Sequence, residues 1–357
     1  MLAEQGKRLP TLYEYAALAT SPSLAEDNYV TNNSGCITDL NPDLLFVARA
    51  SSRHFQFLPG PEFSPRLYRG QNQFFEPCLP SLYRDSGPLD IIYWTAKWLE
   101  LATILDRHPT CLWLNELEIE GLRFRLNGQV LPQHYGYPTA LLDFSRSKDV
   151  AMFFATCNYD KAKNRYLPLS SGKAVLYTAD LRELTESKNQ SDVMPLGWAP
   201  LPRPESQKAF AVQLLQGQQL NDKPWVHVET FEITEEISSR YYRMFNSGRA
   251  LFPLNPFDDH IDALRDNRTI PKSIIEYGIH IGLVPPHSSG IDAACDELRC
   301  AGYKIDEAVS EVPDAVISAA KADWEECEGK FRARIRVRGI ADHSRQSMRP
   351  SLTKTRT

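Results

Sequence analysis

The segment from residue 133 to residue 145 holds the densest group of side chains suited to chemistry in this sequence. His134 and Tyr135 lie on a stretch that contains Gly and Pro, and Asp143 and Ser145 follow on a β-prone run. Alternate side chains of a strand share a face, so Asp143 and Ser145 are expected side by side. An imidazole can exchange a proton near neutral pH, and a carboxylate can stabilise positive charge. The pattern indicates either a catalytic cleft or, with equal weight, polar side chains that only cap the following helix.

A second group of candidates lies in the tetrapeptide YRGQ, which contains Arg69, Gly70 and Gln71. Arginine presents a planar set of donors suited to phosphate or carboxylate, and glycine allows a ligand or another backbone to come close. Gln71 adds a donor and an acceptor, and Arg84 is a second possible anion contact. An arginine beside a glycine is, however, usually a surface strand end. Our working hypothesis is that Arg69 and the polar side of residues 139–145 line one pocket.

Neither the cysteines nor the acidic residues predict a metal site. The seven cysteines are scattered and form no C-x-x-C pair, which is typical of buried reduced thiols rather than of a disulfide framework or a zinc module. The cluster FDDH at 257–260 combines two carboxylates with an imidazole, but adjacent side chains rarely converge on one ion. We therefore interpret FDDH as a solvated loop and expect no metal cofactor.

The composition is typical of a soluble globular protein. The chain has 357 residues, of which 42% are hydrophobic and 24% charged, and its formal net charge is −5. The acidic balance argues against nucleic acid as a partner, and the arginines of FRARIRVRGI at 331–340 fit a charge-protected edge strand better than a nucleic-acid contact. No segment resembles a membrane span or a signal peptide, so we expect a cytoplasmic protein without a membrane partner.

Hydrophobic periodicity predicts an α+β fold, because strands and helices alternate without a regular βαβ rhythm. The predicted strands include RLYRG, TALLDF, GKAVLYTADL, AFAVQLLQ, WVHVETFEI, YGIHIGLVPP at 277–286 and the alternating run at 331–340. The predicted helices include 88–108, 148–157, 233–245, 290–303 and 312–331. Ser145 or Ser147 is expected to cap the helix at 148–157, whose apolar residues at i, i+3, i+4 and i+7 indicate a core-facing stripe.

Taken in order, these motifs resemble the FRG domain, a bacterial and phage family named for an aromatic-Arg-Gly signature. The matching elements are Tyr68-Arg69-Gly70-Gln71, CLPSLYR at 78–84, QHYGYPTALLD at 133–143, the A-x-x-FA pattern at 151–155, the set Arg203, Gln207 and Phe210, and a weaker element at 298–302. The likeness covers roughly residues 60–316. The sequence departs from the family at Ala140, where an arginine is common, so any anion contact of that arginine is missing here.

The FRG domain in turn resembles ADP-ribosyltransferases, which implies a mixed or antiparallel sheet with flanking helices and NAD as the substrate. The resemblance implies that Arg69 binds the pyrophosphate of NAD and that Ser145 supports the ribose. From their residue types we add Gly70, Gln71, Arg84 and Tyr135, the last stacked on nicotinamide, as NAD contacts, and His134 and Asp143 as catalytic residues. Gln207 is the third catalytic candidate, because of its position in the resemblance. In those transferases a glutamate on a third strand stabilises the ribose cation. No glutamate stands clearly at that place here; Gln207 is the nearest positional candidate, ahead of Glu205 and Glu229.

Two functions follow from this resemblance. The first is ADP-ribosyl transfer or NAD hydrolysis, as a toxin or an antiphage effector that acts on a protein target. The second is a non-catalytic module that senses a nucleotide or a protein regulator through the same cleft. The polar cluster at 133–145 favours the first, whereas the missing glutamate favours the second.

The domain organisation expected from the sequence has four parts. Residues 1–60 form an N-terminal helical and loop extension, and residues 61–316 form the FRG-like domain. Residues 317–341 comprise a C-terminal helix and the Arg-rich strand, and residues 342–357 are a disordered tail.

Overall fold

A computed structural model describes residues 44–49, 52–59, 66–84, 86–126, 131–180, 183, 193–196, 198–284 and 287–336. The expected N-terminal helix and the tail at 342–357 lie outside these residues. The described part of the chain is α+β, as the sequence predicts, with several antiparallel pairings and helices around them. Within that part, no helix combines the length and the apolar character needed to cross a membrane.

The secondary-structure elements are numbered in chain order. The strands are β1 Leu45–Arg49, β2 His54–Pro59, β3 Arg66–Gln71, β4 Glu118–Ile119, β5 Leu122–Phe124, β6 Leu141–Ser145, β7 Cys157–Asp160, β8 Arg165–Pro168, β9 Ser171–Asp180, β10 Val193–Pro195, β11 Ala209–Gln213, β12 Val226–Thr234, β13 Thr269–Pro271, β14 Lys304–Asp306 and β15 Ile335–Arg336. The helices are α1 Pro88–Leu105, α2 Pro109–Asn115, α3 Lys148–Thr156, α4 Arg203–Ser206, α5 Glu235–Met244, α6 Asp258–Asp266, α7 Lys272–His280, α8 Ile291–Cys300 and α9 Asp314–Arg334.

The central sheet has the strand order β10-β11-β6-β3-β9-β12, and every neighbouring pair is antiparallel. One face carries an apolar core that includes Leu67, Phe144, Tyr177 and Trp225. The other face is covered by α3, which packs on β3 through Ala151 and its neighbours. Strand β6, which carries the polar candidates Asp143 and Ser145, therefore lies in the sheet next to the strand that α3 covers.

Helix α3 begins where the sequence predicts. Ser147 is the N-cap residue, and its Oγ accepts a hydrogen bond from the backbone N–H of Val150. Asp149 lies in the first turn, where a negative charge is favoured by the helix dipole. Val150 and Phe153 are buried on the core-facing stripe. Of the two serines considered as caps, Ser147 fills the role.

A second sheet has the order β15-β1-β2-β5-β4 and packs against the end of α9. Its core is aromatic and joins the rings of Phe57, Phe124, Trp113, Trp324 and Phe331. The predicted alternating strand at 331–340 is wrong for residues 331–334, which are helical and continue α9 to Arg334. The burial of Phe331 against the aromatic core stabilises this last helical turn, and within the described residues the pairing with β1 is made by Ile335–Arg336.

The predicted strand at 277–286 is also wrong for residues 277–284, the part of it that the structure describes. Helix α7 runs to His280, and the chain then turns through Gly282. A Cβ on Gly278 would lie 2.6 Å from a methyl of Val284 and 3.0 Å from one of Leu99. Close packing of this helix therefore depends on glycine, a requirement that an alternating apolar pattern does not reveal.

Candidate functional site

Strands β3 and β6 are neighbours in the central sheet, but their only described pair is Tyr68 with Ser145. In a continued antiparallel ladder Gly70 would face Asp143. Instead, Nη1 of Arg69 donates to the backbone carbonyl of Asp143 at 2.9 Å. The Nε–H of Arg69 is buried and has no hydrogen-bond partner among the described residues. Arg69 thus joins the two strands where their backbone pairing stops and keeps an unused donor.

Arg69 and the carboxylate of Asp143 leave the sheet on opposite faces. Arg69 lies opposite Tyr177 of β9, whose ring belongs to the apolar core. Ser145 lies opposite Tyr68, which packs against α3, so Asp143 two residues earlier points to the α3 face. The hypothesis that the side chains of Arg69 and Asp143 line one pocket is therefore wrong. The two residues are linked through the main chain of Asp143.

On the α3 face, Asp143 meets His134. The distance from Nε2 of His134 to Oδ1 of Asp143 is 3.4 Å. The His134 side chain is 1% exposed, whereas that of Asp143 is 40% exposed. Both facing atoms are buried without a hydrogen-bond partner in the described residues, so the exposure of the carboxylate belongs to its other side. The two catalytic candidates are thus in contact, as a half-exposed carboxylate backed by a buried imidazole.

A short 3₁₀ turn, Pro132–Tyr135, places His134 beneath the sheet. The backbone N–H of His134 donates to the carbonyl of Leu131, and Gly136 ends the turn with φ of 79°. That left-handed conformation is easily adopted only by glycine. The glycine noted in the sequence therefore directs the chain from the turn into β6.

Gln207 directly follows α4 and is buried. Its Oε1 lies 3.0 Å from Nδ1 of His134, and its Nε2 donates to the carbonyl of Leu251 at 3.0 Å. Both ends of the amide are thus used inside the protein. The expectation that Gln207 acts directly on a ligand as the third-strand residue is corrected, because Gln207 supports His134 instead.

Ser145 is buried and is also occupied by the protein. Its Oγ donates to the carbonyl of Gln207 at 2.8 Å and accepts from the backbone N–H of Ser147 at 3.0 Å. The expected contact of Ser145 with a ribose is therefore corrected. Its hydroxyl ties β6 to the segment that carries Gln207 and helps to start α3.

Tyr135 is not available for stacking on a nicotinamide ring. The side chain is buried, and the guanidinium of Arg203 lies over its ring at 4.3 Å from the centroid. Burial raises the pKa of the Tyr135 phenol, while the nearby charge of Arg203 opposes this shift. Arg203 also pairs with Asp258 at 3.1 Å and donates to the carbonyl of His134 at 3.4 Å. Tyr135 and Arg203 thus pack against each other next to His134.

Gly70 allows helix α3 to approach β3. A Cβ on Gly70 would lie 1.8 Å from the carbonyl oxygen of Ala151 and 2.9 Å from Cβ of Ala155. Of the two roles that the sequence left open, close approach of a ligand or of a backbone, the structure has the backbone. The assignment of Gly70 to cofactor binding is corrected accordingly.

Gln71 and Arg84 each form a hydrogen bond with a residue other than Asp143. Gln71 is buried, and its Oε1 accepts from the thiol of Cys78 at 3.7 Å. Arg84 is exposed, and its Nε–H donates to the carbonyl of Leu79 within its own turn. The assignment of either side chain to ligand binding stays a prediction.

Tyr166 of β8 adds a phenol to the surroundings of Asp143. Burial raises the pKa of Tyr166, and the neighbouring Tyr159 and Asp143 raise it further, whereas Arg203 lowers it. The ring stacks on Phe252 at 5.2 Å between centroids. Sequence reasoning missed Tyr166, since a tyrosine in a short edge hairpin gives no signal of its own.

The FDDH cluster is the start of a helix rather than a solvated loop. Phe257 is buried, Asp258 begins α6 and pairs with Arg203, and burial raises the pKa of the Asp258 carboxyl. The interpretation of this cluster as a loop is wrong, because the aromatic residue anchors it in the core. Across the residues that the structure describes, no group of three histidine, cysteine or acidic side chains could hold a metal ion.

Comparison with known proteins gives one match. Residues 64–164 fit the family model described as the FRG domain. The match includes β3, the turn at His134, β6 and α3, but it ends before Gln207. No curated protein and no solved structure matches the chain.

Proposed function

We propose that the FRG domain at residues 64–164 binds NAD and cleaves its nicotinamide–ribose bond, with Asp143 as the catalytic carboxylate. The observation that carries this proposal is the carboxylate itself. Its side chain is 40% exposed, and a buried imidazole lies 3.4 Å from its inner oxygen. A carboxylate with one oxygen held by a buried side chain and its other side exposed to solvent is suited to act on a bound molecule.

The chemistry of the bond explains why a carboxylate is needed. When the C–N bond to the ribose breaks, its electron pair leaves with neutral nicotinamide and positive charge develops on the sugar. A fixed negative charge beside the sugar lowers the energy of that transition state, and removal of such a stabiliser typically slows an enzyme by about 10²–10³-fold. Water or an acceptor side chain then bonds to the ribose carbon and loses a proton. Asp143 supplies the charge that the missing third-strand glutamate would supply in a transferase.

Arg69 is proposed to contact the pyrophosphate. One donor of its guanidinium holds the Asp143 carbonyl, and its Nε–H has no partner among the described residues. A dinucleotide carries its pyrophosphate several bonds away from the nicotinamide ribose, so the two contacts need not meet at one point.

The acceptor decides which version of the activity operates. Water would give free ADP-ribose, and a side chain of a protein target would give a modified protein, as expected of a toxin or an antiphage effector. We propose both as outcomes of the same step, because Asp143 acts before the acceptor does.

The test uses the full chain with NAD labelled in its adenylate half, with and without cell lysate. Released nicotinamide reports cleavage, and label on protein reports transfer. We expect cleavage by the wild type, loss of about 10²-fold or more in Asp143→Asn, and weaker binding of NAD in Arg69→Ala. Matched controls are Asp160→Asn, a carboxylate paired with Lys163 at 3.2 Å, and Arg66→Ala, on the same strand as Arg69. Wild-type protein that releases no nicotinamide, or an Asp143→Asn variant that equals Asp160→Asn, would refute the proposal.

A non-catalytic nucleotide-binding module is the second candidate. It is favoured by the contacts of Gln207, Ser145 and Tyr135, which are all satisfied or covered by the protein. In that case NAD would raise the melting temperature of the chain without any release of nicotinamide. If NAD neither raises the melting temperature nor is cleaved, both nucleotide functions are excluded.

A further inference from the structure

The protonation of His134 can be read from the hydrogen bonds of Gln207. The carbonyl of Leu251 can only accept, so the Gln207 atom 3.0 Å away must be the amide nitrogen. The opposite orientation would place two buried oxygens against each other, which is unfavourable. Leu251 therefore fixes which end of the Gln207 amide faces the imidazole.

With this orientation, Oε1 of Gln207 faces Nδ1 of His134 at 3.0 Å. An amide oxygen accepts, so Nδ1 must carry a hydrogen. The second ring nitrogen, Nε2, faces Oδ1 of Asp143 at 3.4 Å. Both of these atoms are buried and have no hydrogen-bond partner in the described residues. In the neutral Nδ1–H form two acceptors would face each other where water does not reach, which is unfavourable without a proton between them.

A strained turn holds the carbonyl that sets this arrangement. Asn246, Ser247 and Gly248 have φ of 48°, 60° and 92°, three left-handed residues in a row. The two non-glycine residues are strained in this conformation. A Cβ on Gly248 would lie 3.1 Å from the ring of Phe153, so the turn is pressed against α3. Strained backbone of this kind persists where the surrounding structure fixes the conformation of the chain. Here the fixed turn positions the Leu251 carbonyl that follows it.

We propose that Gln207 is a positioning residue, which keeps a proton on Nδ1 of His134 and thereby makes His134 and Asp143 share a second proton between Nε2 and Oδ1. The shared proton fixes Oδ1 in place and leaves the exposed side of the carboxylate directed at a ligand. The inference rests on the proposed function only for its effect on turnover.

Charged and titratable groups surround the pair from several elements. Arg203 of α4 donates to the His134 carbonyl, Arg69 of β3 donates to the Asp143 carbonyl, and the Tyr166 phenol of β8 interacts with the Asp143 charge. The two arginines act on backbone oxygens. Neither of these two arginine contacts supplies a hydrogen to Nε2 or Oδ1, so they do not replace the shared proton.

Nitrogen NMR of ¹⁵N-histidine-labelled protein tests the inference directly. The His134 signals are assigned by their loss in His134→Asn. At neutral pH we expect both ring nitrogens of wild-type His134 to carry hydrogen. In Gln207→Met, which removes the acceptor at similar length, we expect Nδ1 to lose its hydrogen and Nε2 to keep one for Asp143. Gln56→Met, at a buried glutamine of β2, is the matched control and should leave the signature unchanged.

A wild-type His134 with an unprotonated Nδ1 would overturn the proposal, as would an unchanged signature in folded Gln207→Met. If Gln207→Met does not fold, Asp143→Asn decides, because the new amide can donate to Nε2 and should leave hydrogen on Nδ1 alone. For turnover, Gln207→Met keeps the hydrogen on Nε2 but removes the positive charge of the imidazole ring, so kcat should change while the Kd for NAD stays the same. Absence of NAD cleavage in the wild type would refute the proposed function and leave the spectroscopic result decisive for Gln207.

Discussion

Replacing Gly70 with alanine tests why the signature glycine is needed. The added Cβ would lie 1.8 Å from the carbonyl oxygen of Ala151, 2.7 Å from its carbonyl carbon and 2.9 Å from Cβ of Ala155. Real Cβ atoms essentially never come within 3.0 Å of such neighbours, so α3 and β3 must separate by at least 3.0 − 1.8 = 1.2 Å. Because the obstacle is a helix backbone, no side-chain rotation relieves the clash. Overpacked cores commonly lose about 1–3 kcal/mol, and we expect Gly70→Ala to lose about 3 kcal/mol or more of the free energy of unfolding.

Urea unfolding followed by tryptophan fluorescence and circular dichroism measures this loss. The matched control is Gly329→Ala in α9, where a Cβ would have no atom within 4 Å. Alanine is the better helix former, so the control should gain about 0.5–1 kcal/mol. A loss below about 1 kcal/mol in Gly70→Ala would refute the close approach of α3, and with it the structural reading of this glycine.

Two further properties follow from burial. His108 is buried and stacks on Phe257, and burial lowers its pKa from 6.5 to about 4. The unfolded chain therefore binds this proton more readily, and the free energy of unfolding should fall by up to about 3 kcal/mol as the pH drops from about 6.5 to 4, a loss that His108→Asn should reduce. An equal slope in both proteins would contradict this assignment. For the described cysteines, a thiol-alkylating reagent should label the exposed Cys300 and Cys327 in the native state, but not Cys111. Peptide mapping by mass spectrometry reads the labels, and rapid modification of Cys111 would show that its core is open.

Much of the scaffold could be predicted because local chemistry specifies it. Ser147 and the apolar stripe of α3 announce a helix, and the β-prone run before it announces β6. The exceptions at 331–334 and 277–280 have one cause. Alternating apolar residues suit a strand, but tertiary contacts of Phe331 and Gly278 make a helix the better solution at these places.

The sequence could predict which residues of the candidate site lie close together along the chain, but not how distant parts of the chain meet them. His134 and Asp143 do meet, because the turn and the strand that carry them are adjacent in the sequence. The faces of Arg69 and Asp143 could not be deduced, since they depend on the pairing of Tyr68 with Ser145, and neither strand alone reveals that register. The use of Gln207 depends on the Leu251 carbonyl, a distant backbone atom that no sequence motif marks.

The central claim is that the exposed side of the Asp143 carboxylate acts on a charge that develops on NAD. The most direct measurement compares the affinity for NAD with the single-turnover rate of nicotinamide release in wild-type protein and in Asp143→Asn. A charge that matters only in the transition state predicts a similar Kd in both proteins. It also predicts that the rate of nicotinamide release falls by about 10²-fold or more in the variant. A variant that binds NAD as tightly and releases nicotinamide as fast as the wild type would contradict the account.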